Sequence, residues 1–331
     1  MKSIKFRLLT WIFCLFISLF PAGSFWNCSW AASSDYPNSP ITLVLPFAPG
    51  GSTDAAARAL AEAMEKHLKQ PLVILSKPGG GTTIAGNFVA TAKPDGYTLG
   101  FFPASTSIPE IYTFNVPVPY SSKDLRPVSG IIEIVQAILV KGDAPWNSLK
   151  DLMEFAQKNP GIKVATLGKT HLGHYLIALV TKQEKVSFMG VPFDGGSKML
   201  PPLLGGHVPV GITGLDPTVQ GLLEGKKLKA LATCLRKRTA ILPDVPCLEE
   251  LGYKLPFVSI SGVFGPKGTP DEAVRKINEA IRKVVEDKDF RVKINNAGGE
   301  LNYLDSAPYG QALMLFKEKT YAFFKEEGLV K

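Results

Sequence analysis

The chain has 331 residues, 45% of them hydrophobic and 20% charged, with a formal net charge of +8 at pH 7. That is more chain than one core usually covers and points to two lobes. The Lys residues are spread along the sequence, which reads as solvated helix faces and argues against a nucleic-acid surface.

At the N-terminus, Lys2, Lys5 and Arg7 precede an apolar run from Leu8 to Phe20 that is too short to span a bilayer. Ser29-Trp30-Ala31 then places small residues three and one before a cut after Ala31. This is a signal-peptide profile over residues 1–31, and its removal takes three positive charges, from +8 to +5. An uncleaved anchor is the competing reading, because Phe25, Trp26 and Trp30 extend the apolar segment to about 20 residues. Of four cysteines, Cys234 and Cys247 survive cleavage. In an oxidising compartment they have the spacing for a disulfide contributing about 3 kcal/mol on the chain-entropy model. No CxxC or Cys/His metal cluster occurs.

Along the mature chain, β-branched runs alternate with amphipathic segments, the signature of an α/β architecture with largely parallel strands. The predicted strands are 41–46, 72–75, 97–102, 163–166, 208–212, 228–233 and 259–264. Between them, Ala57, Leu60, Ala61, Met64 and Leu68 recur at helical spacing, as do Ala273, Ile277, Ala280, Ile281 and Val284. A long helix is expected from Tyr309 to Phe324. No low-complexity linker is visible, so the chain is expected to cross between lobes on ordinary strands.

The stretch Pro46-Phe-Ala-Pro-Gly-Gly-Ser-Thr-Asp54 runs from the first strand through a glycine turn into a helix. Pro49, Gly50 and Gly51 let the backbone bend closely, and Ser52 and Thr53 sit where helix-start amides point outward. Such a turn cradles a carboxylate or phosphate without any charged side chain. The alternative is an ordinary strand-to-helix turn. Lys77-Pro-Gly-Gly-Gly81 lacks the spacing of a dinucleotide fingerprint, and Gly168-Lys169-Thr170 lacks the earlier glycine of a P-loop, Lys163 standing there. His171 and His174 are one helical turn apart without a third ligand nearby in sequence, which argues against a metal site. Neither a nucleophile elbow nor a zinc-protease helix occurs, so an enzyme is not expected.

Read together, ordered segments resemble the substrate-binding proteins of tripartite tricarboxylate transporters, the Bug family. They are Pro46 to Asp54, Gln70 to Ile74, Lys77 to Gly81, Lys93 to Leu99, Asn159 to Gly161, Leu203 to Gly206, Leu242 to Pro246 and Gly265 to Pro270. The resemblance implies a two-lobed periplasmic-binding-protein type II fold, a Venus flytrap with the ligand cleft between lobes. Lobe one would comprise 33–138 plus 259–331, and lobe two 139–258. It also implies a monomer in the periplasm that takes a small organic carboxylate without a cofactor or metal and presents it to membrane permease subunits. A sensor module presenting its ligand to a membrane-bound kinase is the alternative.

Carried onto this chain, the lobe-one contacts would be Ala48, Gly50, Gly51, Ser52, Thr53, Asp54 and Thr106. Lobe two would add Gly168, Lys169, Thr170, His174, the loop Phe193, Asp194, Gly195 and Gly196, and then Thr213 and Gly214. Lobe two departs from the family pattern: the 193–196 loop replaces a Tyr-Lys-Gly-like turn, and Thr213-Gly214 replaces an Asp-Asn-like pair. Pro201-Pro202 follow that loop, so the next helix is expected to start later or to be distorted there.

Overall fold

The computed structural model describes residues 36–112, 117–167, 172–255, 259–326 and 328. The expected signal peptide lies outside the described residues, as do Gly168, Lys169, Thr170, His171 and the side chain of His174. Among the described residues no helix is long and apolar enough to cross a membrane.

The first half of the chain alternates strands and helices in the order β1 (Ile41–Leu45), α1 (Ser52–Leu68), β2 (Leu72–Ser76), α2 (Thr83–Ala90), β3 (Thr98–Phe102), α3 (Ala104–Ser107) and α4 (Pro109–Tyr112). Two adjoining strands follow, β4 (Leu125–Ile134) and β5 (Gln136–Lys141). Next come α5 (Leu149–Lys158), β6 (Ile162–Thr166), α6 (Leu172–Glu184), β7 (Phe188–Pro192), α7 (Gly196–Leu204), β8 (Val210–Gly214), α8 (Pro217–Glu224) and β9 (Leu228–Thr233). The chain ends on β10 (Ile260–Pro266), α9 (Asp271–Glu286), α10 (Lys288–Asn296), β11 (Gly299–Asp305) and α11 (Ser306–Glu326).

These strands make two mixed sheets. One has the order β11-β4-β10-β3-β1-β2 and the other β7-β6-β8-β5-β9. In each, three parallel strands come from strand-helix-strand units, and antiparallel partners complete the sheet. Helices cover both faces. The stripe Ala57, Leu60, Ala61, Met64 and Leu68 of α1 packs with Ile277, Ala280, Ile281 and Val284 of α9 on one face of the first sheet. Tyr309, Leu313, Phe316 and Phe324 of α11 pack on the other face. Each fully buried side chain of this size stabilises the fold by about 1.5–3 kcal/mol. The second sheet has its own cores, one under α5 and α6 and one under α7 and α8.

The two sheets are joined at Val135, the single fully buried residue between β4 and β5. Its N–H donates to the carbonyl of Gly298 on the first-sheet side (2.9 Å), and its carbonyl accepts from the N–H of Leu215, just beyond β8 (3.1 Å). Gln220 of α8 adds a tie to the C-terminal end of α10, donating to the carbonyls of Leu215 (2.6 Å) and Asn296 (2.9 Å).

Two expectations are corrected. The helix beside Pro201 and Pro202 starts ahead of both, at Gly196. The prolines lie late in this short helix, and their carbonyls accept from the N–H groups of Gly205, His207 and Val208, which closes the helix end. Cys234 and Cys247 are free and buried rather than bridged. Cys247 pairs alongside Thr233, so residue 234, the next along an extended segment, points to the opposite face. Cys234 accordingly joins the core under α5 and α6, and Cys247 the core under α7 and α8.

The join imposes a sharp local requirement. Gly298 has φ +80°, and a Cβ there would lie 2.3 Å from the carbonyl oxygen of Leu215. Gly298→Ala is therefore expected to destabilise the protein by about 1–3 kcal/mol, read as a lower urea midpoint; an unchanged midpoint would show that the join tolerates a side chain.

Candidate ligand-binding site

The C-terminal ends of the parallel strands of both sheets point toward one another, and the turns leaving them meet. At the end of β1, Gly50 takes φ +91°, a conformation that favours glycine. Its N–H donates to Asp54 Oδ2 (3.0 Å), and Arg58 Nε donates to the same oxygen (3.0 Å). Asp54 thus locks the turn from inside the first turn of α1. The N-cap of α1 is Gly51, which has no side chain to cap the helix, so the first-turn amides stay open.

The opposing turn, between β7 and α7, has the same character. Gly195 is the N-cap of α7, again without a side-chain cap. The two turns are in direct contact: the N–H of Ala48 donates to the carbonyl of Asp194 (2.9 Å), and Ser197 Oγ donates to the carbonyl of Pro49 (2.8 Å). A Cβ on Gly195 would come within 3.2 Å of Ala48 N, so glycine permits the approach. Phe47 reaches across and packs with Ala165, Leu167, Met199 and Val208 of the second sheet's side.

Enclosed at this meeting is a cavity of about 50 Å³, a few times the space one water needs. Ala48 and Gly51 to Asp54 line it from the first turn, Pro103 and Ser105 from β3 and α3, and Gly196, Thr213 and Gly214 from the second sheet. Glu133, Ile134 and Gln136 line it from the join, with Ser259 and Ser261 beside β10, and Leu167, Cys234 and Leu255 completing the wall. Ser52 Oγ, Asp54 Oδ1 and Ser105 Oγ are buried there without a hydrogen-bond partner in the protein. Buried polar atoms are ordinarily satisfied, so three on one cavity wall mark a place where a bound group completes them.

The electrostatics are unusual for an anion cradle. Asp54 and Glu133 are the acidic residues along the wall, and no Lys, Arg or His is among the described lining residues; Ile134 points toward Gly214, so its neighbour Glu133 turns its carboxyl to the opposite side of the strand. The Glu133 carboxyl is pushed up to about 7, first by burial and then by Glu300, which lies directly opposite on the paired strand β11. Lys237 and Arg236 offset part of this. Positive potential in the cavity comes instead from two uncapped helix N-termini, α1 and α7.

Of the residues expected from sequence, Ala48, Gly51, Ser52, Thr53, Asp54, Gly196, Thr213 and Gly214 come together on this wall. Gly50 shapes the turn, its amide committed to Asp54. Thr106 is buried off the wall, its carbonyl accepting from the Tyr120 hydroxyl (2.6 Å). Phe193 packs into the bridging apolar cluster, and Asp194 contributes its carbonyl to the contact with Ala48. Sequence reasoning missed Ser105, Glu133, Gln136 and Ser261. The signal for two of these was present, because Ile131 to Val140 is an unbroken run rich in β-branched residues without a turn residue.

A sequence model described as "Tripartite tricarboxylate transporter family receptor" matches residues 56–329. Among curated relatives, the UPF0065 protein in the gbd 5' region of Cupriavidus necator is 31% identical over 310 residues, covering 91% of each chain. Among solved structures, the periplasmic binding protein BugD superposes with a TM-score of 0.80 at 31% identity, covering 89% of this chain and all of that one. MatC from Rhodopseudomonas palustris, solved with bound malate, gives 0.77 at 26% identity, covering 88% and 99%.

Closure of the two halves depends on a missing side chain at Gly214, where a Cβ would sit 2.4 Å from Ser52 Oγ and 2.8 Å from Ser52 Cβ. Gly214→Ala is expected to hold the halves apart, raising the radius of gyration in small-angle scattering while circular dichroism stays native. Adding Ser52→Gly should reverse the change, and a radius unaltered in the single variant would refute the contact's importance.

Proposed function

The chain belongs to the tripartite tricarboxylate transporter family of receptors, and from that premise we propose that it captures a small organic carboxylate between its two lobes in the periplasm and presents it to a membrane transporter. The lobes in this reading are residues 33–138 with 259–331, and residues 139–258. The observation that carries the proposal is the convergence of two uncapped helix N-termini on one buried cavity that holds partnerless hydroxyls. Helix-start amides supply directed donors and positive potential where a carboxylate needs both. MatC, a relative in fold and sequence, is solved with malate, which supports the same ligand class here.

Capture follows from the geometry of the turns. The ligand would first meet the amides of Ser52 and Thr53 on the first lobe. Closure then brings Gly196, Thr213 and Gly214 against it and forms the Ala48 to Asp194 bond that seals the cavity. The role is binding and release, with the ligand leaving chemically unchanged.

Each hydrogen bond to a charged group contributes about 1.5–3 kcal/mol. Ser52 is the first residue of α1, a position where proline fits a helix, and Gly51 before it has the extended backbone that proline requires (φ −96°, ψ 175°). Ser52→Pro should thus remove one amide donor while keeping the turn, weakening affinity by roughly 10- to 150-fold, whereas Ser52→Ala tests the hydroxyl alone. Native mass spectrometry of the purified protein, followed by calorimetry with the retained molecule, makes the measurement. A retained ligand without a carboxylate, or full affinity in Ser52→Pro, would overturn the reading.

A further inference from the structure

The buried, partnerless atoms on the wall between the lobes are of two chemical kinds. Ser52 Oγ and Ser105 Oγ are hydroxyls, which turn to donate or to accept as the bound group requires. Asp54 Oδ1 belongs to a carboxylate, which only accepts. A captured carboxylate satisfies the hydroxyls and the open amides of α1, yet it has no hydrogen to offer Asp54 Oδ1 and repels it. Something else in the ligand has to meet that oxygen.

Asp54 cannot turn away from this demand. It is 6% exposed, in the first turn of α1, and its Oδ2 is pinned from two sides, by the Gly50 amide (3.0 Å) and by Arg58 Nε (3.0 Å). Rotating the carboxyl to hand Oδ1 to those donors only exchanges the two oxygens. The lock on Gly50 and Arg58 uses a single oxygen, so the second one is left over from the local structure. Arg58 already stands against the charge of Asp54, so what Oδ1 lacks is a hydrogen rather than a further cation. A buried charged acceptor is ordinarily satisfied, and leaving it open is costly.

Resting on the carboxylate reading above, we propose that Asp54 is a specificity-determining residue whose Oδ1 accepts a hydrogen bond from a hydroxyl or ammonium group on the ligand carbon next to its carboxylate. The ligand class is then a 2-hydroxy or 2-amino carboxylate. The spacing follows from the chain: the amides of Ser52 and Thr53 take the carboxylate, and Asp54 comes next in the same helical turn, so donor and carboxylate must be close neighbours on the ligand. A donor placed there lies between two negative groups and screens one from the other. A plain acid would instead set its carboxylate against an open oxygen of Asp54. The serine hydroxyls cannot make this distinction, since each serves either kind of group. A water filling the place of the donor is the competing arrangement, and it would make the site indifferent to the substituent.

Calorimetry with two sets of acids, each sharing a carbon skeleton, tests this: succinate, malate and aspartate in one, and propionate, lactate and alanine in the other. Within the set that binds more tightly, a substituted acid should exceed the plain acid by at least about tenfold, the worth of one hydrogen bond to a charged acceptor. Whether the hydroxy or the amino member leads identifies the donor. Asp54→Asn keeps an acceptor for the Gly50 amide and replaces the other oxygen with an NH2 group, which cannot accept. The preference should disappear in this variant, with the affinity of the plain acid showing that the turn is intact. Ser105→Ala, on the same wall, should leave the preference as it is. Should Asp54→Asn fail to fold, the wild-type comparison decides alone. Equal affinity for plain and substituted acids, a preference that survives Asp54→Asn, or one that Ser105→Ala abolishes would each overturn the proposal. If none of the six binds, the molecule retained by the purified protein decides. A carboxylate with a donor on the neighbouring carbon upholds the assignment, a carboxylate without one overturns it, and a molecule lacking a carboxylate removes the underlying reading and the proposal together.

Discussion

A buried anion must be neutralised or surrounded by donors, and here the wall described around the cavity offers no cationic side chain. Dipoles must do the work of charge. That constraint explains why the two turns that meet are glycine-rich, why both helices that point into the cavity begin on glycine, and why neither start is covered by a side-chain cap. A Ser or Asp N-cap would stabilise either helix by a few tenths of a kcal/mol over glycine, but its oxygen would occupy the amides that a ligand needs. Helix stability and open donors compete at these positions, and the sequence favours the donors. The contrast is visible nearby: α8, whose start lies off this wall, is capped by Asp216, with Oδ1 accepting from the amides of Thr218 and Val219.

The same turns also hold the two halves together. The Ala48 to Asp194 bond and the Ser197 to Pro49 bond are backbone-directed contacts between lobes, made by the residues next to the open amides. In the proposed capture, closure and donor placement would be one event, since Gly196 and Gly214 lie against the first turn where the Ala48 to Asp194 bond is made. Phe47 adds an apolar anchor across the same seam. The far side of the molecule is fixed differently, by Val135 bonded to both halves and by Gln220 reaching from α8 to the C-terminal end of α10.

Most of this architecture was legible in the sequence, for physical reasons that differ by element. The helical stripes of α1 and α9 carry a 3.6-residue period that only one face of a helix satisfies, and both bury the residues that the period marks. The parallel strands β1, β2, β3 and β6 are short apolar runs bounded by turns, and these too are where the sequence places them. The edge strands β7 and β11 went unread because they are half exposed and lack a continuous apolar run. β4 and β5 went unread for the opposite reason: burial on both faces removes the alternation that announces a strand. The proline pair misled because the rule against helical proline assumes a carbonyl one turn earlier that needs its N–H, and a short helix at the cavity edge loses little by leaving it open. The turn between β1 and α1 was readable because its glycines and the helix start after them are local features of the sequence.

The run from Ile131 to Val140 announces a strand but not the place of Glu133 beside the join, and that shows why a site built by two lobes hides from its sequence. Glu133 lies two residues before Val135, so the strand that lines the cavity is also the strand on which the halves are joined. Any rotation of one half against the other about Val135 moves Gly196, Thr213 and Gly214 relative to Asp54 and Ser52, while Glu133 stays with the latter on the first sheet's side. Its like-charged neighbour Glu300 stands two residues beyond Gly298, the residue that accepts the Val135 amide. The two carboxyls are consequently fixed to the same pair of backbone bonds that define the join. The pairing of β4 with β11 sets the two carboxyls side by side next to the join. Sequence motifs mark turns and caps, which are local. A carboxyl made significant by what lies across a strand pair and behind a cavity wall leaves no local mark, and only the pairing of β4 with β11 brings it into view.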